Sequence, residues 1–314
     1  MKVSDSERLS DFHKIFISIK IFDSMKLYKY QGAGNDFLIA DNRNSAIREE
    51  GGVLYAQRPD GSLWQRNIAE LCDRRYGVGA DGLMLLEASQ EYDFRMVYFN
   101  SDGSGGMMCG NGGRCIVAFA ADCGLEHFDF DAADGFHTAE ILAVEDGVKV
   151  VRLKMKDVSE YKHYAALEGV QAESEGYFLD TGTRHYVRFV NGLHTYNIIE
   201  EGRDIRWNAV QLQPVGVNVN FVEPSGSKVN VRTYEKGVED ETYACGTGIV
   251  ASCVASYIAG VEPAHVGADG RVTYDVHALR DDLSVDFMSG KGDCIAQDVW
   301  LTGPAAKVAE IRFE

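Results

Sequence analysis

The sequence predicts an α+β fold of two domains related by duplication, each a mostly antiparallel sheet wrapped round a central buried helix. Three observations predict it. A Cys-Gly-x-Gly motif occurs twice, in Cys109-Gly-Asn-Gly-Gly-Arg114 and in Cys245-Gly-Thr-Gly248, nearly half of the 314-residue chain apart. Each copy follows a β-type run (Phe94 to Phe99; Val229 to Tyr234) and precedes a small-residue apolar stretch, Ile116 to Ala121 and Ile249 to Ala259. A helix that is apolar nearly all round is a buried one, and Gly124 and Gly260 supply the stops. Elsewhere short alternating runs dominate, such as Leu83 to Glu87, Val148 to Met155, Tyr186 to Val190 and Val217 to Val222. Such period-two runs between Gly, Asp and Asn turns are strands.

The elements follow in order. Residues 1–24 are expected to be an N-terminal extension. Its stretch from Lys14 to Phe22 is too short and too interrupted by lysine for a signal sequence. Met25-Lys-Leu-Tyr-Lys-Tyr30 reads as the first strand, and Glu70 to Arg75 looks helical. Gly77-Val-Gly-Ala-Asp-Gly82 matches Gly-x-Gly-x-x-Gly, but a helical stretch precedes it and a strand follows, the reverse of a dinucleotide site, so it reads as a tight turn. The first domain is expected at 25–153, completed by a returning last strand at 302–314, and the second at 154–301.

Composition bounds the function. Hydrophobic residues make up 45% and charged residues 25%, which fits a folded globular chain. A net charge of -17 repels phosphate backbones and argues against nucleic acid, and no apolar run is long enough for a membrane span. Seven cysteines without an export signal or a Cys-x-x-Cys pair suit a reducing cytoplasm, and their spacing suits neither a disulfide framework nor zinc.

Cys72, Cys115, Cys123, Cys253 and Cys294 read as small buried hydrophobes. Cys109 and Cys245 differ, because each stands just before Gly-x-Gly at an expected helix N-terminus. There the helix dipole and unpaired N–H groups are expected to stabilise thiolate and lower its pKa. The same N–H groups, bare of side chains, suit a carboxylate. Two such thiols facing one ligand suit removal of a proton from one face of a carbon and its return to the other.

Gln31-Gly-Ala-Gly-Asn-Asp-Phe37, Phe99-Asn-Ser-Asp-Gly-Ser104, Cys109 to Arg114, Tyr234-Glu-Lys-Gly237 and Ala244-Cys-Gly-Thr-Gly248 together resemble the diaminopimelate epimerase family. The match runs in order from Met25 over nearly the whole chain. It implies that family's fold of two pseudosymmetric, β-barrel-like domains and an isomerase that interconverts LL- and meso-diaminopimelate, in lysine and peptidoglycan precursor synthesis, with no pyridoxal phosphate, metal or other cofactor. By the resemblance Cys109 and Cys245 are the acid/base pair. Asn35, Asn100, Asn111 and Asn218 are substrate-binding amides, and Gly110, Gly246 and Thr247 form carboxylate-holding helix starts. His185 and Glu235 assist catalysis or grip amino groups. A cytoplasmic homodimer is the expected assembly.

The sequence departs from the family pattern at the distal end of the substrate. Glu235-Lys236 replaces a Glu-Arg pair, and lysine lacks the bidentate fork of arginine. Gly182-Thr-Arg-His185 replaces Gly-Asn/Ser-Pro-His, which makes Thr183 and Arg184 candidate distal contacts, with Arg184 expected to take over part of a carboxylate contact. The segment before Asn218 reads Gly-Val rather than ending in the commoner Arg or Thr. Other functions remain open on the residues: a racemase of proline or hydroxyproline, a cysteine hydrolase with His185 as base, or a binding protein without turnover. The second Cys-Gly-x-Gly is unexplained in a hydrolase, and the Asn-rich pocket with Glu235-Lys236 suits a long substrate with two charged ends.

Overall fold

The structure, a computed structural model, describes residues 25–58, 60–171, 173–290 and 294–313, so the expected extension at 1–24 lies outside the described residues. Two of its helices are central. Helix α2 (Gly110–Asp122) and helix α4 (Gly246–Ile258) are buried along almost their whole length, as their composition requires. Both stop before the expected glycines, Gly124 at φ +87 and Gly260 at φ +78. Helices α1 (Ile68–Cys72) and α3 (Ile198–Asn208) lie outside the barrels' main core.

Strands with alternating burial, such as Val148–Lys154, wrap each central helix. Around α2 the pairing runs Lys26–Gly32, Asn35–Asp41, Gly82–Glu87, Phe94–Asn100, Asp129–Ala132, Gly135–Glu145, Val148–Lys154, Ala296–Arg312 and back to Lys26–Gly32, a closed ring. Around α4 it runs Tyr161–Tyr164, Gly176–Asp180, Arg184–Phe189, Asn218–Ser225, Lys228–Glu235, Arg271–His277, Asp282–Ser289 and again Ala296–Arg312. A bridge from Ala296 to Val158 closes it. Each ring has two parallel pairs, and the second of these is joined through the central helix: Phe94–Asn100 with Asp129–Ala132, and Lys228–Glu235 with Arg271–His277. The repeat read in the sequence is therefore a repeat of topology.

The return strand is longer than the expected one, since it starts at Ala296 and serves both rings. Leu301 pairs with Leu153 on one side and with Val285 on the other. Its side chain also meets both central helices at their starts. A Cβ added at Gly110 or at Gly246 would lie 3.1 Å from Leu301 Cδ2, and one at Gly246 would lie 3.3 Å from the Gly110 Cα. The helices thus touch tip to tip, and only glycine lets the backbones come so close. One apolar core runs continuously through both rings.

Two further expectations change, and two elements are new. The helix expected from Glu70 to Arg75 ends at Cys72, because the Asp73 carboxylate accepts the N–H groups of Arg75 (2.7 Å) and Tyr76 (2.6 Å) and turns the chain. Cys123 and Cys294 are only half-buried, while Cys72, Cys115 and Cys253 are buried. Cys123 caps the end of α2, and Cys294 donates to Val158 and Ala296 carbonyls beside the bridge that closes the second ring. Helix α3 and the three-stranded sheet Arg48–Glu50, Val53–Gln57 and Leu63–Asn67 are additions to the two-ring plan. Among the described residues no helix is long and apolar enough to cross a membrane.

The tip contact makes a test of the fold. Gly246→Ala gains up to about 1 kcal/mol of helix propensity but overpacks the contact at a cost of about 1–3 kcal/mol. Chemical denaturation should show net destabilisation together with reduced activity; a stabilised, fully active variant would refute the contact.

Candidate active site

The two helix starts open into a single cleft of 550 Å³. Cys109 and Cys245 are the N-cap residues of α2 and α4, with extended backbones at φ -120 and -102. The Gly112 N–H donates to Cys109 Sγ at 3.3 Å, and the first N–H groups of each helix have no partner within the helix. Because the helices meet at Gly110 and Gly246, these donors and both thiols face the same space. The cleft is also lined by Asn35, Asn100, Asn111, Thr183, Arg184, Asn218, Glu235, Lys236 and Thr247. Every candidate residue is brought together there except His185.

The amides are oriented by hydrogen bonds to one another, to the backbone and to neighbouring side chains. Asn111 Nδ2 donates to Asn35 Oδ1 (2.6 Å) and, across the junction, to the Ala244 carbonyl (2.8 Å) just before Cys245. Asn35 Nδ2 in turn donates to Asp81 (2.9 Å), which is paired with Arg74 (2.6 Å). Asn218 Oδ1 accepts the Lys236 N–H at 2.9 Å, and Asn100 Nδ2 donates to Ser104 Oγ at 3.0 Å. Arg184 lies over the Phe178 ring (5.0 Å) and donates to the Leu212 carbonyl (3.3 Å). Among the described residues neither Arg184 nor Lys236 is paired with a carboxylate.

His185 sits one layer behind the cleft and is fully buried. Its Nδ1 takes a hydrogen bond from Asn220 Nδ2 (3.0 Å), whose Oδ1 accepts from Thr233 (2.9 Å). Nε2–H is then the donor towards the hydroxyls of Thr183 (2.9 Å) and Thr247 (3.0 Å). Thr247 Oγ1 lies 3.5 Å from Cys245 Sγ. Burial pulls the His185 pKa down to about 3, so the ring is neutral at physiological pH and reaches the thiol only through a hydroxyl.

The expected lowering of the thiol pKa values is reversed. Burial pushes Cys245 up to about 12, the Glu235 carboxylate adds to this, and the Thr247 hydroxyl and Gly248 N–H oppose it. Cys109 is also raised by the surrounding protein, although one face of it is exposed to the cleft, and the Gly112 N–H and Arg114 pull the other way. The helix starts favour thiolate as expected, but desolvation is the larger effect. Glu235 is itself raised, by burial first, with Thr242 opposing and Asp81 reinforcing.

Several residues escaped the sequence reading. Asp81 lies in the segment read only as a turn. Asn220 follows Asn218 by two residues on one strand and so shares its face. Phe37, Tyr98, Met107, Met108 and Val215 add apolar walls. Among the described residues no group of three His, Cys, Asp or Glu side chains is placed to hold a metal ion.

Twin barrels that present two helix-start cysteines to one cleft define the class, and solved structures share the fold. A phenazine biosynthesis protein from Bacillus anthracis superposes with a TM-score of 0.66 at 14% identity, covering 93% of this chain and 100% of that one. A hydroxyproline epimerase from Agrobacterium vitis gives 0.62 at 14% identity, covering 93% and 91%. At the level of sequence the relationship is closer. The diaminopimelate epimerase family model matches residues 27–158 and 177–295, and the chain belongs to that family. It is 39% identical to a diaminopimelate epimerase from Flavobacterium psychrophilum, over 91% of this chain and 99% of the relative. It is 38% identical to one from Aquifex aeolicus, over 92% and 98%.

Proposed function

We propose that the protein is a cofactor-independent epimerase that interconverts LL- and meso-diaminopimelate. The observation that carries the reading is the pair of helix-start thiols in one cleft, within a chain of this family. One cysteine as thiolate takes the α-proton, and the other as thiol returns a proton to the opposite face, which inverts the carbon. The charge that develops spreads into the α-carboxylate, where the N–H groups of the Gly110 and Gly246 helix starts stabilise it. Glu235 faces the substrate's ammonium groups. Arg184 and Lys236, free of carboxylate partners among the described residues, supply cations for the distal carboxylate. In this reading the enzyme works in the cytoplasm on a small molecule, as a homodimer. The two domains, 25–153 with 302–314 and 154–301, each contribute one thiol. Binding relies on these local groups, because the net charge of -17 gives no long-range attraction for a dicarboxylate.

Incubation of reduced enzyme with LL-diaminopimelate and no added cofactor should yield the meso isomer, read by chiral chromatography. Cys109→Ala and Cys245→Ala should each lower turnover by at least about 10²-fold. Turnover of proline or hydroxyproline but not diaminopimelate would overturn the substrate, and full activity in either cysteine variant would overturn the chemistry.

Arg184→Ala should raise KM about tenfold, equivalent to about 1.4 kcal/mol, and leave kcat within about twofold. An unchanged KM would remove Arg184 from the distal contact.

A further inference from the structure

Arg114 is the fifth residue after Cys109, and its guanidinium is completely buried. It folds back on its own helix start, donating to the Gly110 carbonyl (3.1 Å) and to Asn111 Oδ1 (2.8 Å), and it reaches the Pro304 carbonyl (3.5 Å). All three acceptors are neutral, and among the described residues no carboxylate pairs with it. The space is shaped for it by Gly303 on the shared strand, where a Cβ would lie 3.1 Å from Arg114 Nε.

The placement is unfavourable on two counts. A buried cation without a counter-ion is costly, and a cation at a helix N-terminus opposes the dipole. Both are relieved by an anion at that helix start. The repeat shows that the fold does not demand the arginine, because the equivalent residue after Cys245 is Val250, also fully buried. The strand ends differ in the same sense. Asn100 closes the strand of the first ring, where Glu235 closes its counterpart.

We propose that Arg114 is a positioning residue that serves as the buried counter-charge of the Cys109 thiolate and makes the two topologically equivalent thiols electrically unequal. Its second action is geometric. By holding Asn111 Oδ1 it aims Asn111 Nδ2 at Asn35 and at the Ala244 carbonyl, which ties the first helix start to the chain entering the second. The Gly112 and Asn111 N–H groups also favour ionisation of Cys109, whereas the other titratable groups around it, which are Glu235, the Cys245 and Cys115 thiols and the Tyr98 hydroxyl, bring no positive charge. Asp281 acts on Arg114 from the loop after Arg271–His277. Arg114 is therefore the nearby cation that favours thiolate at this position.

The inference rests on the two-thiol reading, but its test uses no substrate, so the two can fail separately. The full-length protein is alkylated with iodoacetamide across a pH series, and Cys109 and Cys245 are followed individually by peptide mass spectrometry. In Arg114→Met the pH midpoint for Cys109 should rise by about one unit, so that its modification at neutral pH slows about tenfold. Arg114→Lys should restore most of the wild-type midpoint, and Cys245 should move less than Cys109 in both variants. Should Arg114→Met fail to fold, Arg114→Gln, which keeps a donor for the Gly110 carbonyl, takes its place. A Cys109 profile unmoved in a variant with native circular dichroism and unfolding overturns the proposal, and so does an equal shift of both thiols.

Discussion

The contact between the starts of α2 and α4 is the constraint on which the rest depends. Gly110 and Gly246 approach each other against Leu301, a residue that pairs with both rings at once. A Cβ at either glycine would crowd Leu301, and larger side chains would separate the helices. The shared strand thus does more than hold two barrels together. It seats the helix tips, and the tips bring the two N-cap cysteines and their bare N–H groups into one cleft. Each level of the fold, from alternating strand to closed ring to buried helix, leads to that junction.

The electrostatics of the cleft follow from its depth. Helix starts favour thiolate, yet desolvation pushes both thiols up, even though Cys109 keeps one face open to the cleft. That balance suits a site in which one sulfur must hold a proton while the other gives its proton up. Around the pair, neutral amides are held by hydrogen bonds, Asn111 to Asn35 and Asn218 to the Lys236 N–H among them. The charged groups, Glu235, Arg184 and Lys236, sit where a zwitterionic ligand would meet them. His185, neutral because it is buried, is held in place by Asn220 and meets the cleft only through the hydroxyls of Thr183 and Thr247.

The duplication and the two buried helices were legible because both motifs carry them, while the barrels came with the family resemblance. Cys-Gly-x-Gly after a strand and before a small apolar helix leaves few other packings. The candidate residues converge for the same reason, since most of them flank those motifs or the strand ends beside them. What was not legible depends on depth and on non-local contact. Nothing in Gly182-Thr-Arg-His185 says that the histidine turns inward while its neighbours face the cleft. Asp81 reads as a turn residue until Asn35 is seen to bond to it. The direction of the thiol shifts could not be read either, because a helix start is visible in sequence and burial is not. Helix α3 did carry a signal, Asn197 followed three residues later by Glu200, with Ile198, Gly202 and Ile205 on one buried face.

If two thiols act on opposite faces of one carbon, hydrogen from the solvent enters the product and not the substrate. The direct test is the reaction of LL-diaminopimelate in deuterium oxide, with deuterium located by NMR and mass spectrometry at low conversion. Two thiols on opposite faces should place one deuterium at the inverted carbon of the product, while recovered substrate keeps its hydrogen. Product that retains the substrate's own hydrogen, or deuterium entering recovered substrate as fast as product forms, would point to a single base and contradict the two-thiol chemistry.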